Sequence, residues 1–308
     1  MKTGETMKIR VVKAPDRQYE RRVNSFLSYN NELWLWHLNM AFRGELDELE
    51  ARFYVGLLNG RMVGNVSSWE HGPLGLVAHL FTARRYRREG ICTALMKAQV
   101  RDFRDRDGKM LIGGFRPTSY RIARTIGFRS IVGNSEVMHY VLDPNLERGY
   151  FKVQGVTCRD SMWKDWPGVG LLFGIKKGWR IRSMKHRIFT PFDYEDYFLE
   201  DMKERLDGST MAKVLVNEKG NVAGYATLTF KRSPKSFWLL DFFVHHSATP
   251  HADMMLDAID FPKNRTRCYV ESDCSEKYGM LLERGFKERT QELIRHEGRT
   301  LDTIIMEF

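Results

Sequence analysis

The sequence repeats one pattern of strands and helices in its two halves, and this repeat limits the possible folds more than any other feature. In the first half, the apolar run ARFYVGLL, the turn pair Asn59-Gly60 and the run RMVGNVSSWE predict a β-hairpin. In the second half, MAKVLVN, EKGN and VAGYATLTF predict the same hairpin, and each copy has a glycine early in its second strand, Gly64 and Gly224. Two copies of one plan within 308 residues predict two domains.

The elements after each hairpin follow in the same order. An apolar strand (LGLVAHLFT or FWLLDFFVHH) precedes a helical stretch, a short strand (MLIGGF or RCYVES) and a helix that ends at Gly127-Phe128 or Gly285-Phe286. This order predicts the α/β class (an α+β mixed sheet), with two tandem domains that each carry helices on the faces of a mixed sheet. A final strand or hairpin closes each sheet, such as ELIRHEGRTLDTIIMEF with its turn at Glu297-Gly298.

The domain boundary is expected where the pattern breaks. Proline, asparagine and charged residues interrupt it at LDPNLERGY, residues 142–150. We therefore predict an N-terminal domain over residues 1–146, a connecting segment over 147–178 and a C-terminal domain over 179–308.

Composition places the chain among globular proteins, with 43% hydrophobic and 29% charged residues. No apolar run approaches the ~18 residues that a membrane span needs, and the polar start MKTGETMKIR lacks the apolar core of a signal peptide. The four cysteines are scattered without metal-ligand spacing. We expect a cytoplasmic protein with reduced thiols, no metal and no membrane partner.

The positive charge is concentrated in the first half. Residues 1–150 contain 24 Lys and Arg against 16 Asp and Glu, whereas residues 151–308 contain 25 against 23. Within the first half, Arg84, Arg85, Arg87 and Arg88 directly precede Gly90. Such charge suits a nucleic-acid binder, a membrane-surface protein or an enzyme for a polyanionic ligand, although a charge run that stands alone is more often a solvated face.

The residues after Gly90 predict a helix, because Ile91, Ala94, Leu95 and Ala98 recur at helical spacing. A helix N-terminus offers unpaired backbone N–H groups and a partial positive charge, and a glycine lets an anion approach the backbone closely. A strand, a basic glycine turn and a helix thus suit a pyrophosphate. Neither GxxxxGK[ST] nor GxGxxG is present, which argues against the nucleotide-triphosphate loop and the dinucleotide fingerprint.

Together these residues resemble the GNAT superfamily of acyl-CoA N-acyltransferases, over about residues 7–143. The family signature (Q/R)xxGx(G/A), which follows the fourth strand, is similar to Arg87–Cys92, with Cys92 in place of the small last residue. The family's helix that runs into Gly-Phe is similar to RPTSYRIARTIGF. Residues 179–308 resemble the same fold through KYGMLLERGF, but the loop VHHSATPHADMML has neither glycine nor arginine. The resemblance thus implies a tandem protein whose second domain is degenerate and does not bind coenzyme A.

The resemblance implies an N-acetyltransferase that uses acetyl-CoA as co-substrate and no metal. The acceptor would be a primary amine of a small molecule or peptide, which attacks the thioester directly with general-base assistance. Strand residues would pair with the pantetheine amides, the helix N-terminus would take the pyrophosphate, and Arg84 or Arg85 could reach the 3′-phosphate. The implied cofactor-binding residues are Leu80, Phe81, Thr82, Arg87, Arg88, Glu89, Gly90, Ile91, Cys92 and Thr93.

Three residues are candidates for the chemistry. Glu70 is the first choice for the general base and His79 the second, although each could instead be a structural carboxylate or a satisfied strand histidine. The family's usual acid, a tyrosine four residues before the Gly-Phe glycine, is replaced by Ala123. Tyr120 could substitute as the acid, but Tyr278 stands in the same place in the second half, which suggests a packing role in both copies.

The acceptor stays open at this stage. Aromatic residues of NELWLWHLNMAF, namely Trp34, Trp36, His37 and Phe42, and the carboxylates of RGELDELEAR could line an amine site, or they could form core and solvated helix. An aminoglycoside, a polyamine, an amino-acid derivative and a protein amine all remain candidates. The competing functions are a non-catalytic acyl-CoA sensor and a nucleic-acid binder, and the second lacks any known nucleic-acid motif. We therefore expect no nucleic-acid partner, and a monomer or weak dimer.

Overall fold

The computed structural model describes residues 6–131, 136–174, 181–183, 194–232, 236–262, 265–296 and 299–308. The chain divides into two compact units. Unit 1 contains residues 1–146 and 162–170, and unit 2 contains residues 147–161 and 171–308. The prediction of two tandem α/β domains is confirmed, since each unit is built on its own mixed sheet. Within the described ranges, no helix is long and apolar enough to cross a membrane.

Unit 1 has seven described strands in the order β1-β2-β3-β4-β5-β7-β6. Only the central pair β4 and β5 is parallel. The strands are β1 (Lys8–Lys13), β2 (Glu50–Leu58), β3 (Arg61–His71), β4 (Leu74–Thr82), β5 (Met110–Gly114), β6 (Arg129–Ser130) and β7 (Val137–Val141). The helices are α1 (Arg17–Phe26), α2 (Glu32–Arg43), α3 (Ile91–Asp105) and α4 (Pro117–Ile126).

Local sequence signals fix the ends of these elements. The Asp16 side chain accepts hydrogen bonds from two backbone N–H groups of α1, and Asn31 accepts one from α2. The predicted hairpin turn between β2 and β3 has left-handed backbone at Asn59 (φ 47°) and Gly60 (φ 77°). This is the turn type that lets two antiparallel strands keep their natural twist.

Helix α3 packs directly on β3 because Gly64 has no side chain. A Cβ at this position would lie 2.6 Å from Ile91 Cγ2 and 2.9 Å from Leu95 Cδ1, closer than carbon atoms pack. Ile91 and Leu95 therefore reach the sheet and join its buried core. The first turn of α3 is held against the sheet as a result.

Unit 2 repeats the plan, with the order β13-β14-β12-β11-β10-β9-β8 and the parallel pair β11 and β12 at its centre. The strands are β8 (Thr157–Asp160), β9 (Thr210–Val216), β10 (Val222–Lys231), β11 (Phe237–Val244), β12 (Thr266–Glu271), β13 (Lys287–His296) and β14 (Arg299–Glu307). Its helices are α7 (Tyr194–Arg205), α8 (Asp253–Asp257) and α9 (Ser275–Glu283), while α5 (Leu146–Tyr150) and α6 (Trp166–Gly174) each contain residues of both units. The predicted turn at Glu297-Gly298 lies outside the described residues.

The segment predicted as a connection, residues 147–178, has structure of its own. Strand β8 pairs with β9 at the edge of the second sheet. Residues 162–170, by contrast, pack within unit 1. The segment is thus divided between the two units, and it is not a separate connection.

A buried ion pair lies in the core of unit 2. Lys277 Nζ on α9 is 2.9 Å from Asp241 Oδ1 on β11 and 3.0 Å from the Arg182 carbonyl oxygen. The exposed fractions of the two charged side chains are only 1% and 3%. Burial lowers the Lys277 pKa, but the Asp241 charge outweighs it and raises the pKa above its usual value. Both groups therefore stay charged.

The substitution Asp241→Asn should lower the free energy of unfolding by about 3–5 kcal/mol, because it leaves the Lys277 charge buried without a carboxylate. Urea denaturation followed by circular dichroism measures the change. Asp260→Asn, which removes an exposed carboxylate, is the matched control and should change stability by less than about 0.5 kcal/mol. Equal stability of the two variants would contradict the prediction.

Candidate active site

The loop between β4 and α3 presents backbone donors at a helix N-terminus. Helix α3 begins after Gly90, which has φ of 78°, and Arg88 also has left-handed backbone at φ 66°. No side chain of the described residues caps α3. Its first N–H groups are thus free to bind an anion.

This loop forms one wall of a cleft of about 1220 Å³. Nine of the ten residues predicted to bind the cofactor line the cleft: Leu80, Phe81, Thr82, Arg87, Arg88, Gly90, Ile91, Cys92 and Thr93. Glu89 is not among the lining residues. The structure thus brings the residues of the predicted cofactor site together around one cavity.

The second wall comes from α4, which the sequence did not assign to the cofactor. Residues 117–122 and Arg124 line this side, together with Glu136. A signal for it was present, since β4 and β5 are parallel neighbours and the helices that follow them must begin at the same edge of the sheet.

The cleft is strongly basic. The lining residues include Arg87, Arg88, Arg121 and Arg124. None of the four has a carboxylate partner within the described part of the chain, while Arg87 Nε donates to the Thr82 carbonyl oxygen at 3.2 Å. Guanidinium groups without carboxylate partners beside free helix amides make a site for a polyanion.

A β-bulge interrupts β4 beside the cleft. The register with β3 shifts between Asn65 and Ser67, so that His79 and Leu80 together face one residue of β3. His79 adopts φ of 52°, which non-glycine residues rarely do. The pairing of β4 with β5 has also ended by this point, because it covers only Leu74–Leu76 on β4. The β5-facing edge of β4 is therefore unpaired with β5 from the bulge to the cleft.

The His79 imidazole is buried behind the bulge. Its Nδ1 lies 2.9 Å from Ser67 Oγ, and this hydroxyl donates to the Ala78 carbonyl oxygen at 3.0 Å. Nδ1 then carries the ring hydrogen, which leaves the lone pair on Nε2. Nε2 has no hydrogen-bond partner among the described residues. Burial lowers the His79 pKa to about 3, so the ring is neutral near pH 7.

A second buried imidazole belongs to His37 on α2. Its ring centroid lies 4.2 Å from that of Trp69 and 4.9 Å from that of Trp166. Neither ring nitrogen has a hydrogen-bond partner in the ranges described. Burial lowers the His37 pKa well below its usual value, and His79 adds to this effect. Trp166 comes from residues 162–170, so sequence reasoning could not have included it.

Glu70, the first choice for the general base, lies away from the cleft. It is six residues along β3 from Gly64, which pairs with the cleft residue Thr82. The carboxylate accepts hydrogen bonds from Ser68 Oγ and, at 2.6 Å, from Arg106 Nη1. A buried carboxylate held in an ion pair at this distance is a structural group, and its position argues against the predicted role as base.

Tyr120 lines the cleft, but its hydroxyl already has a partner. Tyr120 Oη lies 3.0 Å from Ser130 Oγ, and in unit 2 Tyr278 Oη donates to Glu288 Oε2 at 3.2 Å. Ser130 and Glu288 both follow the Gly-Phe glycine by three residues. The repeated bond supports a packing role shared by both copies, while only Tyr120 also faces a cleft.

The acceptor residues that the sequence predicted on α2 have different surroundings. Phe42 stacks on Phe53 in the buried core, at a centroid distance of 5.2 Å. Trp34 instead lies edge-on to His79 at 4.9 Å. Trp36 packs against Trp163.

The carboxylates between residues 43 and 52 are engaged within unit 1. Glu45 pairs with Arg43, Glu50 pairs with Arg52, and Glu48 pairs with Lys164. Asp47 accepts a hydrogen bond from a backbone N–H group. Each of these four carboxylates therefore already has a partner within unit 1, which argues against a role in binding a cationic acceptor.

Within its described residues, unit 2 repeats neither the strand bulge nor the glycine loop that border the cleft of unit 1. Strand β11 pairs with β10 in unbroken register from Phe237 to Val244, so it has no bulge. The following loop forms a 3-10 turn, His246–His251, instead of a glycine loop. Among the described residues of the whole chain, no group of three or more His, Cys, Asp or Glu could hold a metal.

Comparison with protein families gives one match: residues 16–117 match the model described as the acetyltransferase (GNAT) family. No curated protein matches the chain. The structures that match include the ribosomal-protein-S5-alanine acetyltransferase from Vibrio fischeri, with 14% identity, a TM-score of 0.36 and coverage of 51% of this chain and 93% of that chain.

Two further structures match at similar levels. A GNAT family N-acetyltransferase from Escherichia coli in complex with CoA has 15% identity and a TM-score of 0.38, with 47% of this chain and 87% of that chain covered. A probable N-acyltransferase from Enterococcus faecalis has 12% identity and a TM-score of 0.38, with 80% of this chain and 64% of that chain covered.

The buried neutral imidazole of His37 should make unit 1 sensitive to acid. Its folded pKa lies below the unfolded value of about 6.5, so the unfolded state alone takes up a proton as the pH falls below that value. Between pH 7 and pH 5 this one site should cost about 2 kcal/mol of unfolding free energy. His37→Phe should remove that share of the loss, measured by urea denaturation at both pH values. An unchanged difference between the two pH values would contradict the prediction.

Proposed function

From the match of residues 16–117 to the acetyltransferase (GNAT) family model, we propose that the protein transfers an acetyl group from acetyl-CoA to a primary amine of a small molecule or peptide. The observation that carries the proposal is the basic cleft at the N-terminus of α3, where Gly90 and four arginines without a described carboxylate partner lie beside free helix amides. A coenzyme A molecule has a pyrophosphate and a 3′-phosphate to match this charge.

In the proposed complex the first N–H groups of α3 bind the pyrophosphate, and Arg87 and Arg88 add charge-assisted hydrogen bonds. Arg121 and Arg124 on the opposite wall are further candidates for the phosphates. The unpaired edge of β4 from the bulge to Thr82 offers backbone donors and acceptors to the pantetheine amides, as an added strand would use them. The thioester would then lie near the bulge.

The bulge suits the reacting end of the substrate. His79 and Leu80 are outside the regular ladder with β3, so their N–H groups can stabilise the oxyanion that forms as an amine attacks the thioester. Nε2 of His79 can accept a proton. A group with a pKa of about 3 cannot take a proton from a free alkylammonium of pKa ~10. We therefore propose that solvent first removes a proton from the ammonium to give the neutral amine. As the C–N bond forms, the remaining amine protons become acidic, and His79 Nε2 then accepts one of them.

Tyr120 is the proposed donor to the departing thiolate. It is a titratable side chain that lines the cleft, and its bond to Ser130 holds the ring in place. Ala123, at the position of the family's usual tyrosine, is fully buried in the core and carries no acidic group.

A non-catalytic acyl-CoA sensor is the alternative, and one observation favours it. The hydrogen bond of Tyr120 is repeated by Tyr278 in a unit that has no cleft loop. If Tyr120 has only a packing role, the cleft can bind coenzyme A without a group that protonates the thiolate.

The parent protein should release thiol from acetyl-CoA in the presence of at least one primary amine from a chemically varied panel. Arg88→Gln should raise the KM for acetyl-CoA about tenfold, because it removes a charged hydrogen bond worth about 1.5 kcal/mol. Gly90→Ala should weaken acetyl-CoA binding by a similar factor, since left-handed backbone costs a non-glycine residue roughly 1–2 kcal/mol. Calorimetry and steady-state kinetics measure these changes.

Arg101→Gln is the matched control for these variants, because Arg101 is exposed on α3 and does not line the cleft. It should leave the acetyl-CoA KM unchanged. Parent-like binding in both Arg88→Gln and Gly90→Ala would contradict the placement of the cofactor, and binding without turnover on any amine would favour the sensor.

Tyr120→Phe should lower kcat by about 100-fold with little change in the acetyl-CoA KM, if Tyr120 protonates the thiolate. Tyr278→Phe removes the corresponding bond in unit 2 and is the matched control; it should cost only about 1 kcal/mol of stability. Two variants with the same small loss of stability and parental kcat would assign Tyr120 to packing alone.

A further inference from the structure

An exposed aromatic platform lies beside the cleft. Tyr29, in the segment between α1 and α2, stacks on Phe81 with a centroid distance of 4.3 Å and an angle of 25°. Phe26 of α1 supports Phe81 edge-on at 5.2 Å. Phe81 lines the cleft, yet Tyr29 remains 51% exposed. The exposed Tyr29 ring therefore covers one face of Phe81 beside the cleft.

A cation without a carboxylate partner lies next to this platform. Arg116, the N-cap residue of α4, is exposed, and no described carboxylate pairs with it. It directly precedes Pro117 and Thr118, which line the same cleft as Phe81. The stacked rings and the guanidinium thus form one patch.

The platform is on the same face of the sheet as the unpartnered imidazole nitrogen. Asn65 and Ser67 are two residues apart along β3, and their directly opposite partners on β4 are Phe81 and Ala78. Directly paired residues share a face of a sheet, as do residues two apart on one strand. Ser67 contacts His79, whose Nε2 is buried without a partner. A buried polar atom left unpaired is costly, and an N–H donor from a ligand would remove that cost.

The charge around this region disfavours polycations. Arg84, Arg85 and Arg116 are exposed, and no described carboxylate pairs with them, while Arg87 and Arg88 line the adjoining cleft. The phosphates of a bound coenzyme A would neutralise the arginines of the cleft, but Arg116 would keep its charge beside the platform. A polyamine or an aminoglycoside would therefore place one of its positive charges against Arg116. An acceptor with an anionic group would be attracted.

On this basis we propose that the acceptor is a small aromatic primary amine that carries a carboxylate. Its ring stacks on Tyr29, its carboxylate binds Arg116, and its amine points toward His79 Nε2. The inference rests on the proposed acetyl transfer and specifies which amine the site takes.

The test compares 4-(aminomethyl)benzoate with benzylamine, which have the same ring and the same reactive amine but differ in the carboxylate, and with spermidine as the polycation. With the full-length protein and acetyl-CoA, kcat/KM for 4-(aminomethyl)benzoate should exceed that for benzylamine at least tenfold, and spermidine should be the poorest. Arg116→Gln should reduce the ratio of the two aromatic acceptors to near one while the acetyl-CoA KM stays parental. Tyr29→Ala should lower kcat/KM for both aromatic acceptors, and Arg101→Gln should change neither.

A binding measurement separates this inference from the proposed function. Calorimetry of 4-(aminomethyl)benzoate with the CoA-loaded protein should show binding that weakens at least tenfold in Arg116→Gln. Absence of thiol release from acetyl-CoA with any amine would overturn the transferase, even if this binding is seen. Turnover with spermidine or benzylamine as fast as with the carboxylate, or no binding of the carboxylate to the CoA-loaded parent, would overturn the acceptor class.

Discussion

The close approach of α3 to β3 at Gly64 determines where the site can form. A side chain at this position would collide with Ile91 and Leu95, so the helix would have to move away from the sheet. Since Gly64 has no side chain, α3 stays close to the sheet, and its first turn is held at the edge where β4 ends. The free N–H groups of that turn, Gly90 and the arginines before it then face one cavity with α4 as the opposite wall. The proposed anion site of unit 1 thus depends on a packing contact that involves no charge.

The two units share one arrangement of strands but differ in the strand that borders the cleft of unit 1. Both contain the hairpin, the strand glycine and a parallel pair of strands at the centre of the sheet. Unit 1 adds a bulge in β4 with an unpaired strand edge, whereas β11 runs without a bulge and carries Asp241, held by the buried Lys277. A charged pair at the centre of unit 2 needs close, well-oriented contacts to offset its desolvation. In unit 2 the strand that corresponds to β4 thus contributes a buried charge to the core.

The repeat, the hairpin and the basic loop before α3 could be predicted from sequence because each has a local signal. Asn59-Gly60 determines the turn between β2 and β3, and Gly64 allows α3 to approach β3 closely. The arginines before Gly90 indicate a positively charged helix N-terminus. The different surroundings of the two candidate bases could not be found in this way. Glu70 and His79 both stand on strands of the same sheet, and only the register shift in β4 and the pairing of Glu70 with Arg106 separate their roles. Residues 162–170 return to unit 1 from outside the repeat, so no periodicity indicates that Trp166 lies against His37.

The unpaired imidazole nitrogens of His37 and His79 bear on why this part of unit 1 is built as it is. A core made for stability alone would use apolar rings, because each buried nitrogen without a partner costs free energy. The bulge adds a further cost by holding His79 in left-handed backbone. Both costs fall at the place where β4 leaves its ladder and where a thioester would lie. Structural strain and unsatisfied polar atoms that coincide at one point are more readily explained by a bound substrate than by the fold, since unit 2 keeps the same sheet order without a bulge.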